Sequence, residues 1–192
     1  MRILLISPLY PPDIAGPAAY VKELATRLSS QNTVEILTYG HIPETISNVE
    51  ITALEKSSSL PIRVVRFTLT LLQMSKKFDC IYSQNGPSVE VPIFVLSFFS
   101  SKPIFMRLGD ETSLQNSLKL PLLRSILNNT IRRMSAIITH SKFNVGSQQY
   151  CVERPLPRPE ILPFSDFPTA AFLHFEKSWE DHISKLISIF KL

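Results

Sequence analysis

The chain has 192 residues, 44% of them hydrophobic and 19% charged, so it can support one domain with a substantial core but hardly two. A net charge of +4 permits an anionic partner, but the basic residues are not interleaved with aromatics, and no nucleic-acid partner is expected. Neither a secretory signal nor a membrane span is expected, because the first apolar run ends at Pro8 and the longest, residues 91–106, is interrupted by prolines, serines and a lysine.

The opening residues predict a strand, a proline-rich loop and a helix. Arg2–Ser7 is an unbroken apolar run of the kind that is buried on both faces of a parallel sheet. Residues 8–16 form the loop, and Pro17 suits the first turn of a helix with apolar residues at helical spacing. A strand, a glycine-bearing loop and a helix N-terminus together can bind an anion through backbone N–H groups. Gly16 and Pro17 are therefore candidates to face a phosphate, although Gly16 can equally be a plain start of a helix.

The following elements alternate between strand and helix patterns. Strands are predicted over Thr33–Tyr39, Val49–Leu54, 79–84, 103–108, Ala136–Thr139 and 160–162, and helices over 61–77, Pro87–Phe99, 118–134 and 142–150. This order predicts a doubly wound, mostly parallel α/β sheet with helices on both faces. The proline-rich residues 155–168 predict a semi-rigid connector. A last helix is predicted from its cap at Ser178, with an apolar stripe formed by Trp179, Ile183, Leu186, Ile187 and Phe190.

Two stretches resemble family 4 glycosyltransferases, two-domain enzymes of the GT-B type. The first is a PP-x-x-G-G loop followed by a helix, represented here by Pro11, Pro12, Ala15, Gly16, Leu24, Ala25 and Leu28, with Ala15 in place of the first glycine. The second is the F-E-K-S-W-E sequence before the last predicted helix, which resembles the family's C-terminal helix. In that family this helix crosses back from the second domain to pack on the first. The resemblance therefore implies a Rossmann-like, acceptor-side GT-B half with an added C-terminal helix.

The resemblance also implies that the family's donor-binding domain is absent between these two stretches. Only a short segment separates the strand in E-I-L-P-F-S-D-F from the S-W-E helix, where family members carry a whole domain. We therefore expect a Rossmann domain over residues 1–163, a connector over 164–177 and a packing helix over 178–192. A separate donor-binding subunit would supply the nucleotide sugar, which is a substrate, and no cofactor is expected. The chain alone is expected to be inactive.

Candidate acceptor contacts lie at the carboxyl ends of predicted strands, where ligands bind in open α/β sheets. They are Tyr10, Gln84, Asn85, Gly86, Arg107, Gly109, Asp110, His140 and Ser141. Plainer interpretations remain: residues 84–86 can be a simple turn, Asp110 and Ser141 can cap the following helices, and His140 can be structural. No residue is assigned a catalytic role. No set of residues has the spacing of metal ligands, and Cys80 and Cys151 are expected to be free thiols in the cytoplasm.

Two basic stretches of the sequence are compatible with an anionic membrane surface as a partner. Residues 61–77 combine arginines and lysines with wide apolar faces, and residues 112–152 carry five basic residues and no acidic one. The plainer interpretation is core packing with a solvated basic face. The alternative function is accordingly a non-catalytic saccharide- or lipid-binding, scaffolding module built on the same fold.

Overall fold

The computed structural model describes residues 1–139, 149–155 and 169–191, and within them seven parallel strands form one sheet in the order β3-β2-β1-β4-β5-β6-β7. This confirms the predicted doubly wound α/β fold. The strands are β1 Arg2–Ser7, β2 Thr33–Tyr39, β3 Val49–Leu54, β4 Cys80–Gln84, β5 Ile104–Leu108, β6 Ala136–Thr139 and β7 Gln149–Cys151. The helices are α1 Gly16–Leu28, α2 Leu60–Ser75, α3 Pro87–Phe99, α4 Glu111–Lys119, α5 Pro121–Arg133 and α6 Thr169–Phe190.

The core has one apolar layer on each face of the sheet, because successive side chains of a strand point to opposite faces. Ile3 and Leu5 of β1 pack in a cluster with residues of α1 and α6. Leu4 and Ile6 pack on the other face, in a cluster with residues of α2, α3 and α5. All four β1 side chains are at most 1% exposed, which explains why the strand is an unbroken apolar run.

The single helix predicted over residues 118–134 is wrong, because two helices occupy this region. α4 ends at Lys119 and α5 begins at Pro121. Between them Leu120 has an extended backbone, with φ −95° and ψ 123°. A residue that precedes proline is pushed out of the helical region by the proline ring, and the same proline then suits the first turn of the next helix.

The last part of the chain also departs from the prediction. Tyr150, predicted to be helical, lies in β7 and pairs in parallel with Ile138 of β6. The predicted strand 160–162 lies outside the described residues. α6 begins at Thr169 instead of Ser178, and the hydroxyl of Ser178 donates to the carbonyl of Phe175 inside the helix at 2.8 Å. Thus the helix boundary is corrected, while the division into domain, connector and packing helix stays a prediction.

The C-terminal helix is held against α1 by a charged contact over an aromatic surface. Both terminal nitrogens of Arg27 donate to the carboxylate of Glu176, at 2.8 and 3.0 Å, in a bidentate pair. The guanidinium also lies 5.3 Å from the ring centroid of Trp179, which is itself buried. α6 therefore completes the core on this face of the sheet. No helix in the described part of the chain has the length and hydropathy needed to cross a membrane.

Candidate functional site

The carboxyl edge of the sheet brings most of the predicted acceptor residues together. The strand order reverses at β1, which lies between β2 and β4, so the loops after β1 and β4 diverge and leave a crevice at this edge. Gln84 ends β4, and Arg107 lies near the end of the adjacent β5, with the two residues paired across the strands. His140 and Ser141, predicted to extend this edge, lie outside the described residues.

Asn85 fixes the loop that follows β5. Its side-chain oxygen accepts from the backbone N–H groups of Gly109 and Asp110, at 3.1 and 3.0 Å. Its side-chain nitrogen donates to the carbonyl of Asp110 at 2.8 Å, and the residue is 1% exposed. The amide is thus engaged on both sides by the backbone of the neighbouring loop. In this structure Asn85 positions the loop, and both polar atoms of its side chain take part in doing so.

Asp110 caps the helix that follows it. Its carboxylate accepts from the backbone N–H of Ser113 at 3.2 Å and from the hydroxyl of Ser113 at 2.6 Å, and it is the N-cap residue of α4. Of the two roles that the sequence left open for Asp110, a sugar contact or a helix cap, the structure has the helix cap.

Gly86 is the N-cap residue of α3 and lies beside a buried carboxylate, Glu90, that the sequence did not reveal as a candidate. Its N–H donates to Glu90 at 3.0 Å, and the other oxygen of Glu90 accepts from the hydroxyl of Ser117 at 2.6 Å. Burial raises the pKa of Glu90, while these two hydrogen bonds act in the opposite direction. A Cβ atom at Gly86 would lie 3.0 Å from the ring of Pro8, so this position needs glycine for the close approach of the two loops.

Arg107 is buried between a glycine and an aromatic ring. Only 6% of its surface is exposed, and its guanidinium carbon lies 3.9 Å from the ring centroid of Tyr20. One terminal nitrogen donates to the side-chain oxygen of Gln84 at 3.2 Å. A Cβ atom at Gly109 would lie 2.3 Å from that nitrogen, so the absence of a side chain at Gly109 makes room for the arginine.

A buried hydrogen-bonded chain connects the sheet to α6. The hydroxyl of Tyr20 lies 2.9 Å from that of Tyr82 and 2.8 Å from Nε2 of His182, and Nδ1 of His182 lies 2.9 Å from the carbonyl of Glu153. Burial lowers the pKa of His182 to about 4, with Arg107 and Lys185 adding to the shift and the Glu153 carbonyl opposing it. The imidazole is therefore neutral at pH 7.

Neutrality of His182 fixes the direction of each hydrogen bond in this chain. A carbonyl oxygen can only accept, so Nδ1 of His182 carries the proton and donates to Glu153. Nε2 must then accept from the hydroxyl of Tyr20, and the Tyr20 oxygen accepts from Tyr82. The order of donors, Tyr82 to Tyr20 to His182, leaves none of these groups short of a partner. No sequence pattern pointed to His182, because it is not one of the residues of the apolar stripe predicted for the last helix.

A second feature of the same edge is an open pocket of about 560 Å³ beside the proline-rich loop, which the sequence analysis predicted only through Tyr10. Tyr10 is 2% exposed, and its hydroxyl makes no hydrogen bond in the described part of the chain. Burial, together with Glu44, raises the pKa of Tyr10 to about 12. The residues that line the pocket come from the ends of three strands: Tyr10, Pro11, Pro12, Asp13, Tyr39, Gly40, His41, Ile42, Pro43, Glu55, Lys56 and Ser57.

The pocket is bounded by a charged contact and by an exposed apolar residue. Nζ of Lys56 lies 2.6 Å from the carboxylate of Asp13, which joins the loop after β1 to the loop after β3. Ile42 is 73% exposed at the pocket rim. An apolar surface with a few polar groups at the carboxyl ends of parallel strands is the usual form of a small-molecule site, and volumes of roughly 300 to 1,000 Å³ are typical.

Gly16 and Pro17 lie at the start of α1, as predicted. The N-cap residue Ala15 offers no side-chain hydrogen bond to the helix. A Cβ atom at Gly16 would lie 3.4 Å from a terminal nitrogen of Arg154, an exposed residue. The helix N-terminus and this guanidinium are both electropositive, which is the arrangement that a phosphate group favours. Whether they face a donor phosphate stays a prediction.

No protein-family model matches the chain, and no curated protein matches it. Solved structures share its fold. Anabaena HepE in complex with UDP-glucose has a TM-score of 0.59 at 13% identity, over 81% of this chain and 44% of that one. The sucrose-phosphate synthase of Thermosynechococcus elongatus has a TM-score of 0.61 at 11% identity, over 81% and 48%. A putative UDP-N-acetylglucosamine 2-epimerase from Listeria monocytogenes has a TM-score of 0.50 at 11% identity, over 73% and 39%.

These likenesses define a class of fold. The described residues have a Rossmann-like α/β fold that these proteins share, and the chain spans less than half the length of each of the three. At identities of this size the likeness establishes the fold alone.

Proposed function

We propose that this chain is the acceptor-binding half of a glycosyltransferase, which works with a separate subunit that holds the nucleotide-sugar donor. The observation that supports the proposal most is the pocket at the carboxyl edge. It lies in a fold that matches under half of HepE, which was solved with UDP-glucose, and under half of a sucrose-phosphate synthase. In an open α/β sheet, this edge is where a second domain or subunit would close over the ligand. The acceptor would lie against Tyr10 and Ile42.

In this proposal the donor diphosphate approaches α1 from the partner's side. Gly16 permits close approach to the helix N-terminus, and Arg154 adds a cation beside it. Since most donor contacts would belong to the partner, we expect this chain alone to bind UDP-glucose weakly and to transfer no sugar.

An affinity pull-down of the tagged chain from its native host, with mass spectrometry of the bound proteins, tests the proposal. A stoichiometric partner with a donor-binding domain is expected, and the reconstituted pair should transfer sugar from a nucleotide donor. Ile42→Trp should obstruct the pocket and reduce that transfer, whereas Ile62→Trp, at an exposed site on α2, should not. The proposal fails if the reconstituted complex is inactive with every nucleotide sugar offered, or if both variants behave alike.

A second candidate function, a lipid-surface binding module, is favoured by one observation on α2. Ile62, Val65 and Leu69 are each more than half exposed, on the side of the helix opposite the buried Phe67 and Leu71. No acidic residue occurs on α2 or α5, which carry Arg63, Arg66, Arg124, Arg132 and Arg133. Exposed apolar side chains among cations suit peripheral binding to an anionic bilayer.

Vesicle sedimentation separates this candidate from a solvated basic face. We expect binding to vesicles that contain phosphatidylglycerol and little binding to pure phosphatidylcholine. The double variant Ile62→Ser and Leu69→Ser should lose the binding, because it removes apolar contact without changing charge. A matched control, Ile42→Ser with Leu173→Ser, changes two exposed apolar residues elsewhere and should bind normally. Equal sedimentation of both double variants would refute the assignment of this face.

A further inference from the structure

Arg107 is a buried cation that forms no ion pair with any residue that the structure describes, residues 1–139, 149–155 and 169–191. In the described structure its guanidinium donates to the side-chain oxygen of Gln84 at 3.2 Å, and its central carbon lies 3.9 Å from the ring centroid of Tyr20. A guanidinium has five N–H donors in a planar fork, and one amide oxygen satisfies only a part of them. A charge in this situation is strongly destabilising unless a counter-charge reaches it.

Two carboxylates near the carboxyl ends of β4 and β5, those of Asp110 and Glu90, already have hydrogen-bond partners. Asp110 accepts two hydrogen bonds from Ser113, and Glu90 accepts from Gly86 and Ser117. Both serve the starts of helices, so neither is available to neutralise the guanidinium. The described chain therefore supplies a positive charge at the end of β5 and no internal negative charge to match it.

A second donor beside Arg107 is also unused. Gln84 is 1% exposed, and its side-chain nitrogen has no hydrogen-bond partner in the described structure. The hydroxyl of Tyr82 lies near this amide: burial raises the pKa of that phenol well above its ordinary value, while a weak hydrogen bond from Gln84 acts to lower it. The contact lies outside normal hydrogen-bond geometry, so the amide keeps donor capacity. A buried amide N–H without a partner is uncommon, because the hydrogen bonds to water that it loses on burial are not replaced. Since the oxygen of the same amide accepts from Arg107, the unused donor and the unpaired cation belong to one cluster.

We propose that Arg107 and Gln84 form a binding site for an oxyanion, a phosphate or carboxylate group carried by a small ligand. Arg107 supplies the charge and a forked set of N–H donors, and Gln84 supplies a further donor. Arg107 keeps 6% of its surface exposed, so it is not fully closed off from solvent. Gly109 keeps the guanidinium in place because any side chain there would displace it. Arg107 and Gln84 do not line the pocket beside Tyr10 and Ile42, so the oxyanion site is separate from that pocket. Its assignment to a substrate of the proposed glycosyltransferase rests on the proposed function.

Titration calorimetry and thermal unfolding with inorganic phosphate test the site in the chain as it stands. Phosphate should raise the unfolding midpoint above that in chloride at equal ionic strength, because a ligand of the folded state stabilises it. Arg107→Met should weaken phosphate binding by at least about tenfold, as expected for loss of a charged hydrogen bond. Arg132→Met removes the same charge from an exposed position and should bind phosphate normally.

Gln84→Glu gives a readout in a protein that is expected to fold well. Glutamate has the shape of glutamine and places a carboxylate beside Arg107, so it should raise the unfolding midpoint without phosphate and abolish the response to phosphate. No phosphate response in the wild type, or an equal response in Arg107→Met, would overturn the proposal. So would a Gln84→Glu protein that still responds fully.

Two sugar probes then identify the source of the oxyanion. Preferential binding of glucose 1-phosphate supports a phosphorylated ligand, and preferential binding of glucuronate supports a carboxylated one. Glucose, which is neutral, should bind at least about tenfold more weakly than the better of the two, and equal binding of all three would contradict the site. Since these assays use the isolated chain, they give the same answer whether or not a donor subunit exists. The pull-down tests that subunit independently.

Discussion

Acidification should destabilise the folded chain through His182, by an amount that follows from its shifted pKa. The pKa of His182 is lowered from 6.5 to about 4 in the folded protein, because the ring is buried and faces Arg107 and Lys185. Between these two values the unfolded chain holds a proton that the folded chain does not. Stability therefore falls as the pH falls from about 6.5 towards 4. At about 1.4 kcal/mol per pKa unit, the full loss is about 3 kcal/mol, of which about 2 kcal/mol should be lost between pH 7 and about pH 4.5.

Urea unfolding at a series of pH values measures this loss, and a variant isolates it. His182→Gln keeps an acceptor for the hydroxyl of Tyr20 but does not titrate. Its stability should therefore vary less with pH than that of the wild type, by about 2 kcal/mol over this interval. Burial raises the pKa values of Glu35 and Glu90, which contribute with the opposite sign, but these contributions cancel in the comparison. His174→Gln, at an exposed position on the same helix, should retain the wild-type slope. Equal slopes for wild type and His182→Gln would refute the reasoning.

Substitutions at three further positions test the carboxyl edge by urea unfolding. Asn85→Ala should lower the free energy of unfolding by about 3 kcal/mol, because three hydrogen bonds of roughly 1 kcal/mol each are lost at a buried site. A loss below about 1 kcal/mol would contradict the role of Asn85 in fixing the loop. Gly109→Ala should cost about 1 to 3 kcal/mol, since its Cβ would lie 2.3 Å from a nitrogen of Arg107, and unchanged stability would contradict this packing. Glu90→Gln should change the free energy of unfolding at pH 7 by less than about 1 kcal/mol, because burial disfavours the charged carboxylate. Glu90→Ala should lower it by about 2 kcal/mol, because two hydrogen bonds are lost.

The sheet could be predicted from the sequence because its strands are locally determined. β1, β2, β3 and β6 were predicted with the bounds that the structure has, and so was α3. The β1 run is apolar throughout because both faces are covered, and α3 begins at Pro87, where proline favours a helix start. The errors lie where a local pattern was ambiguous. An apolar period continued across Leu120, although Pro121 on its own already predicts a break there.

The contacts of the candidate site could not be predicted in this way, because they join residues that are distant in sequence. Tyr20 and His182 are 162 residues apart, and Tyr20 occupies an ordinary apolar position of α1. Arg107 was predicted as a cleft residue from the position of its strand, but its burial over Tyr20 depends on how α1 packs on β5. The pocket has the same origin, since its lining comes from three separate loops. Strand position therefore predicts the edge at which a site lies, whereas tertiary packing determines which side chains remain unpaired there.

The two buried groups at this edge should also influence each other, since both contact Tyr20. Arg107 is one of the charges that lower the pKa of His182, so an anion bound to Arg107 should partly offset that effect and bring the pKa closer to 6.5. Linkage then requires anion affinity to rise as His182 is protonated. Sulfate is a suitable probe because it does not titrate between pH 7 and about pH 4.5. With saturating sulfate, the wild type should lose less stability over this interval than it loses in chloride, while His182→Gln should show no such difference. Identical slopes of the wild type in sulfate and chloride would mean that the two groups are electrostatically independent.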